Sequence, residues 1–256
     1  MTLRAVARKP LMALAGTLLA GCITAAAPAM ARSPTTGTLQ EAPRIEPLPL
    51  TDPPDIAAKP QKLGFAQFVR YGQAVAKAPK GAMGPLSAML SDPVALDGQR
   101  RRCTADQQPV AVIDLDPKGG IVTLPANPTT QTGLALGLAV LREAGVAIAW
   151  VSDMSADESG ALRTALELSG LDPRGEDIIS LRREEGDRKF QRITNLAASA
   201  CIIAIAGDER ADFDERFIYL RSPEAGAGLE PVIGDGWFLV DPVFPVSPQN
   251  REKQDQ

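Results

Sequence analysis

The chain is 256 residues long, with 27 Lys and Arg against 31 Asp and Glu, a formal net charge of −4, 45% hydrophobic residues and 4% aromatic ones. It holds no histidine, which excludes Ser-His-Asp and Cys-His machinery and His-ligated zinc. Catalysis falls to carboxylates, Lys, Ser/Thr or Cys. The acidic balance and scarce aromatics argue against binding a nucleic-acid polymer, which needs a basic face. The three cysteines, Cys22, Cys103 and Cys201, form no CxxC pair, so no structural zinc site is expected.

Residues 1–31 read as an export signal. Arg4, Arg8 and Lys9 form a basic start, and Leu11–Gly21 an apolar run too short for a ~30 Å hydrocarbon core. The run ends in Leu19-Ala20-Gly21-Cys22, which resembles the bacterial lipobox. That resemblance implies cleavage before Cys22, lipidation of Cys22 and a membrane anchor, on the periplasmic face of a bacterial membrane, the outer one by analogy. Ala29-Met30-Ala31 offers a second cleavage pattern, which would release a soluble periplasmic protein. Residues 32–62 carry Pro34, Pro43, Pro47, Pro49, Pro53, Pro54 and Pro60. They read as an extended tether or as a segment wrapped on the domain. A folded domain is expected over 63–248 and a polar tail over 249–256.

Within the domain, Phe65–Tyr71 starts an amphipathic helix, and Met83–Leu90 reads as another short one. Arg100-Arg101-Arg102 reads as a solvated turn. Pro109–Asp114 is an apolar strand ending in acid. Thr132–Ala144 is helical and stops at Gly145. Val146–Val151 is a second strand, followed by Ser152-Asp153. Asp157–Ser169 places Leu162, Ala165, Leu166 and Ser169 on one helical face before Gly170. Asp177–Leu181 is a third strand, Asp187–Ala200 a third helix, and Cys201–Ala206 a fourth strand ending in Gly207-Asp208. Trp237 and Phe238 are expected to pack the core edge. Strands alternating with helices predict an α/β fold with a parallel sheet covered on both faces. Ligands of such sheets lie beyond the carboxyl ends of the strands, where Asp114, Ser152 and Asp208 fall.

Asp114-Leu115-Asp116 after a strand, Ser152 after the next, Lys189 on a helix and Gly207-Asp208-Glu209-Arg210-Ala211-Asp212 follow one another along the chain. Each alone is a common surface or capping pattern. In this order they resemble the four motifs of the haloacid dehalogenase superfamily of phosphotransferases. Lys189-Phe190-Gln191-Arg192, the segment Ile203–Phe213, and Trp237-Phe238 with Asp241-Pro242-Val243-Phe244 are similar to the class C acid phosphatases, many of them lipoproteins. The resemblance covers about residues 109–245.

It implies a Rossmann-like three-layer α/β/α fold and hydrolysis of a small phosphomonoester through an aspartyl-phosphate. Asp114 would be the nucleophile and Asp116 the acid and base. Ser152 would donate to a phosphoryl oxygen, and Lys189 would offset negative charge around Asp114 and the phosphate. The implied cofactor is Mg²⁺, held by Asp114, Asp208 and the carbonyl of Asp116, with Asp212 behind or as a further ligand. The chemistry is physically coherent: a carboxylate can attack phosphorus, and Mg²⁺ takes hard oxygen ligands among crowded acids.

Two departures matter. Lys118 stands where the family carries Thr or Val; it reaches the phosphate or obstructs the pocket. The stretch between Asp116 and Asp153 is short, so the cap is reduced and substrate choice cannot be carried over. A family-like binding module without catalysis is the competing expectation, and Lys118 favours it. In the implied fold Cys103 and Cys201 precede neighbouring strands, so they are expected either as a bridge, which an exported setting permits, or as separate thiols. No residue pattern sets an oligomeric state.

Overall fold

The computed structural model describes residues 64–244 except 80, 82 and 132; all lie in the unit Asp55–Gln256. The export signal, Cys22, the proline-rich segment and the polar tail fall outside the described residues. No helix among the described residues is long and apolar enough to cross a membrane.

The elements run α1 (Gly64–Lys77), β1 (Leu86–Leu90), β2 (Arg100–Arg102), β3 (Pro109–Asp114), α2 (Leu134–Glu143), β4 (Ala147–Ser155), α3 (Ser159–Leu168), β5 (Ile178–Arg182), α4 (Lys189–Ser199), β6 (Cys201–Gly207) and β7 (Trp237–Leu239). β5-β4-β3-β6-β7 form one five-stranded sheet, parallel throughout. The fold is therefore the expected Rossmann-like α/β arrangement.

The central strands are apolar on both faces because both are covered. Along β3, Ala111 and Ile113 pack with Phe68, Leu138, Leu141 and Leu162 from α1, α2 and α3. Val110 and Val112 point the other way and pack with Ile193 and Ala197 of α4 and with Ala88 of β1. Fully burying a side chain such as Phe68 or Leu138 contributes about 1.5–3 kcal/mol. α1 and α2 approach closely: a Cβ on Gly137 would come within 2.8 Å of Val69.

Two local expectations are corrected. Residues 86–90 are strand, not helix, and Arg100–Arg102 is its antiparallel partner, not a solvated turn. The pairing is long-range, so local periodicity could not reveal it. Ser87 donates its hydroxyl to the Ile202 carbonyl at 2.9 Å. Arg100 is nearly buried, its guanidinium donating to Tyr71 at 2.9 Å and pairing with Asp235 at 2.9 Å. Arg101 reaches the Ala197 carbonyl at 2.6 Å. The apolar stems cover the core while the heads find polar partners. β7 is an addition: Trp237 and Phe238 are buried in an edge strand, and the Trp237 indole N–H donates to Ala88 at 2.8 Å.

Cys103 and Cys201 are joined by a disulfide across 98 residues. Closing so long a loop restricts the unfolded chain by several kcal/mol in the entropy model, and natural bridges contribute about 2–4 kcal/mol. Replacing both cysteines by Ser is expected to lower the thermal midpoint by about 10 °C. Melting with and without dithiothreitol checks this; identical midpoints for oxidised and reduced wild type would contradict it.

Candidate active site

The chain leaves β3 by α2 to build β4 and β5 on one side. It then crosses by α4 to place β6 on the other side. The order reverses at β3, so a crevice opens between the carboxyl ends of β3 and β6. Asp114 is the last residue of β3, and its strand neighbour Ile113 pairs with Ala206. Asp114 thus stands beside Gly207, immediately before Asp208.

Asp114 and Asp116 are each only 5% exposed. The Asp116 amide donates to Asp114 Oδ1 at 2.9 Å, a tight turn that brings both carboxyl groups to one side. The Lys189 ammonium lies between them, 2.6 Å from Asp114 Oδ2 and 2.9 Å from Asp116 Oδ2. Asp212 Oδ1 lies 3.9 Å from the same nitrogen. Lys189 opens α4, so the helix start delivers it to the sheet edge. Gly207 lets Asp212 in: a Cβ there would lie 2.5 Å from that of Asp212.

Asp116 is held from four directions. Besides Lys189 it accepts the Ser152 hydroxyl at 2.6 Å, the Asp153 amide at 2.7 Å and the Val122 amide at 3.0 Å. Burial raises its proton affinity, but Lys189, Ser152 and the two amides outweigh this and hold Asp116 below the usual carboxylate range. Lys189 behaves conversely. Burial disfavours its charge, yet Asp114 and then Asp116 keep it ionised and well above an ordinary lysine.

Burial, followed by the charge and hydrogen bond of Asp114, pushes Asp212 up to about 10. Burial also raises Asp114, against the pull of Lys189 and of the Asp212 hydrogen bond. Both carboxyls are thus held above the usual carboxylate range, burial being the first cause in each. A carboxyl whose folded pKa is raised costs stability between its unfolded and folded values. Asp212→Asn, which mimics the protonated form, is expected to raise the midpoint at pH 8 in EDTA by a few degrees and to leave it unchanged near pH 3. Melting curves at the two pH values check this; an equal shift at both would contradict a raised Asp212.

Other expected residues fall close by. Ser152 is not beyond β4 but within it and buried, and its hydroxyl is directed to Asp116. Asp208 Oδ2 accepts the Lys118 amide at 2.9 Å. Both residues line a cleft of about 490 Å³ with Glu209, Arg210, Phe217 and Ile218. The described residues between β3 and α2 form only turns. Sequence reading named Arg192 within Lys189-Phe190-Gln191-Arg192 and Asp153 after the second strand but gave neither a role, and it missed the Val122 amide. The signal for Arg192 was its place one helical turn after Lys189.

Among the described residues no three His, Cys, Asp or Glu side chains stand at metal-binding spacing. The implied set needs only two carboxylates, from Asp114 and Asp208, and the Asp116 carbonyl. Asp114 ends β3 and Asp208 follows the neighbouring β6 at the same sheet end, where Asp114, Asp116, Asp208 and Asp212 outnumber Lys189 and Lys118. Hard oxygen donors in such excess fit Mg²⁺ by their chemistry.

No family model matches the chain, and no curated protein matches it. Among solved structures it is similar to the class C acid phosphatase from Bacillus anthracis, at 18% identity and a TM-score of 0.43, over 54% of this chain and 67% of that one. It is also similar to the class C acid phosphatase from Bacillus anthracis with tungstate bound, at 16% identity and a TM-score of 0.43, over 75% of this chain and 90% of that one. A likeness at this level concerns the course of the chain and not its chemistry.

Proposed function

We propose that the chain is a Mg²⁺-dependent phosphomonoesterase working through an aspartyl-phosphate. One observation carries this: the Lys189 ammonium braces Asp114 and Asp116 at 2.6 and 2.9 Å at the switch point of the sheet. A carboxylate is a competent nucleophile toward phosphorus once ionised, and the adjacent ammonium favours that form of Asp114 against the effect of burial. Asp114 attacks the phosphorus and the ester P–O bond breaks. The leaving oxygen takes a proton from Asp116. Water then attacks the phosphoryl group, Asp116 takes its proton back, and phosphate leaves with Asp114 restored.

Asp116 starts ionised, so it must first be loaded. An incoming phosphate brings negative charge beside it, which raises its proton affinity. Lys189 offsets the charge gathered on Asp114 and the phosphoryl group, and Ser152 can turn its hydroxyl from Asp116 to a phosphoryl oxygen. Asp114, Asp208 and the Asp116 carbonyl would hold Mg²⁺, with Asp212 behind. When bound, the ion supplies electrostatic relief between these acids and the phosphate. Lipidation of Cys22 on the periplasmic face of a bacterial membrane is the proposed setting; cleavage after Ala31 would make it soluble there.

The competing reading is a binding module on the same fold. The four donors committed to Asp116 favour it, because an acid so fully satisfied resists a proton. Phosphate release from an aryl phosphate separates the two readings, measured from pH 4 to 8 with Mg²⁺ or EDTA, on wild type and Lys118→Thr. The phosphatase reading expects Mg²⁺-dependent release by wild type and an equal or faster rate for the variant. No release by either, together with no Mg²⁺ binding by calorimetry, selects the binding module.

A further inference from the structure

We propose that Arg192 is a positioning residue for this site: by holding the Ser152 carbonyl and the Asp153 carboxylate, it aims the Ser152 hydroxyl and the Asp153 amide at Asp116. The contacts form one continuous chain. Arg192 Nη2 donates to the Ser152 carbonyl at 2.9 Å and to Asp153 Oδ1 at 2.7 Å. Its Nη1 donates to the Asp187 carbonyl at 3.0 Å and pairs with the Asp187 carboxylate at 3.2 Å. The two residues it grips from behind are those that face Asp116, at 2.6 Å through the Ser152 hydroxyl and at 2.7 Å through the Asp153 amide. The Ser152 oxygen is fixed further by accepting the Met154 amide at 3.0 Å.

This grip is not an economical way to fill space. Arg192 is 8% exposed, and its Nε is buried without a hydrogen-bond partner. An aliphatic side chain would pack there without a buried charge to satisfy. What the guanidinium adds is direction: two nitrogens in one plane, Nη2 on the Ser152 carbonyl and Asp153 carboxylate and Nη1 on Asp187, tie the end of β4 to the start of α4 in fixed geometry. It stands three residues after Lys189, about one turn of α4. One helix therefore places the cation that touches the acids and the cation that orients the end of β4 behind them. A shift of α4 moves both together. Misplacing reacting groups by about 1 Å costs on the order of a hundredfold in rate.

The inference rests on the phosphatase reading for its kinetic arm alone; the other arm needs no turnover. In full-length protein, Arg192→Ala is expected to speed amide hydrogen exchange at Asp153 at least tenfold relative to Ile148 and Ala149 of the same strand. With an aryl phosphate, kcat should fall about a hundredfold with KM within about threefold. Arg192→Lys keeps the charge but cannot span both partners. It should recover part of each effect, with kcat down about tenfold, and it carries both arms if the Ala variant fails to fold. Exchange at Asp153 that merely follows Ile148 and Ala149 would overturn the proposal, as would an unchanged kcat with raised KM. If wild type hydrolyses no ester, the phosphatase reading fails while the exchange result still decides the role of Arg192.

Discussion

Asp114→Asn is expected to reduce ester hydrolysis at least a thousandfold while the protein stays folded. The substitution keeps shape and removes the attacking oxygen's charge. The Asp116 amide still finds an acceptor, because Oδ1 of the amide side chain can take the place of the carboxylate oxygen that now accepts it at 2.9 Å. Lys189 keeps Asp116 at 2.9 Å, so the ammonium is not stranded. Asp212 loses a neighbouring charge, which is the second cause of its raised proton affinity after burial. The fold should therefore lose little, and the loss should appear in kcat, since a covalent route contributes only in the transition state. Turnover and melting midpoint on one preparation decide it. A rate within tenfold of wild type would mean that another group attacks phosphorus.

Lys189→Met should give the largest loss of stability. It leaves Asp114, Asp116 and Asp212 buried around an uncharged side chain. Removing one partner of a buried ion pair costs about 3–5 kcal/mol, because the other charge is left uncompensated; about 10 °C of midpoint is at stake. The pH dependence identifies the cause. The folded pKa of Lys189 is raised, so its contribution is fully present below the unfolded lysine value and is lost only as pH rises through the folded one. The folded pKa of Asp116 is depressed, so its contribution is present above the usual carboxylate value and is lost as pH falls through the folded one. In the Met variant the acids escape by taking protons. The deficit should therefore be large at pH 7–8 and shrink toward pH 4. Midpoints measured across that range in EDTA test this; a deficit independent of pH would point to lost packing instead.

The site was legible to different degrees along the chain. Asp114, Asp116, Lys189 and Asp212 stood out through their order along the chain, which carries the resemblance to the four motifs. Each alone is a common surface or capping pattern. Arg192 was quoted with Lys189 but its role was not legible, because its partners are the carbonyl of Ser152 and the side chain of Asp153, far away in the chain. Ser152 was placed correctly in order but not in direction: that its hydroxyl faces Asp116 depends on β4 running on to Ser155. The reading of residues 83–90 as helix failed for a related reason. Leu86–Leu90 carries no strong periodicity, and its conformation is set by pairing with the arginines of β2 and by the Ile202 carbonyl.

By itself the sequence determined the alternation of strands and helices, the absence of imidazole chemistry and the acids at the strand ends. These follow from side-chain periodicity and composition, which act over a few residues. Only the tertiary structure decided the strand order, the edge strand formed by Trp237–Leu239, the disulfide and the raised proton affinity of the buried Asp114 and Asp212. Each of these depends on groups distant in the chain meeting out of water, where burial multiplies the effect of every neighbouring charge.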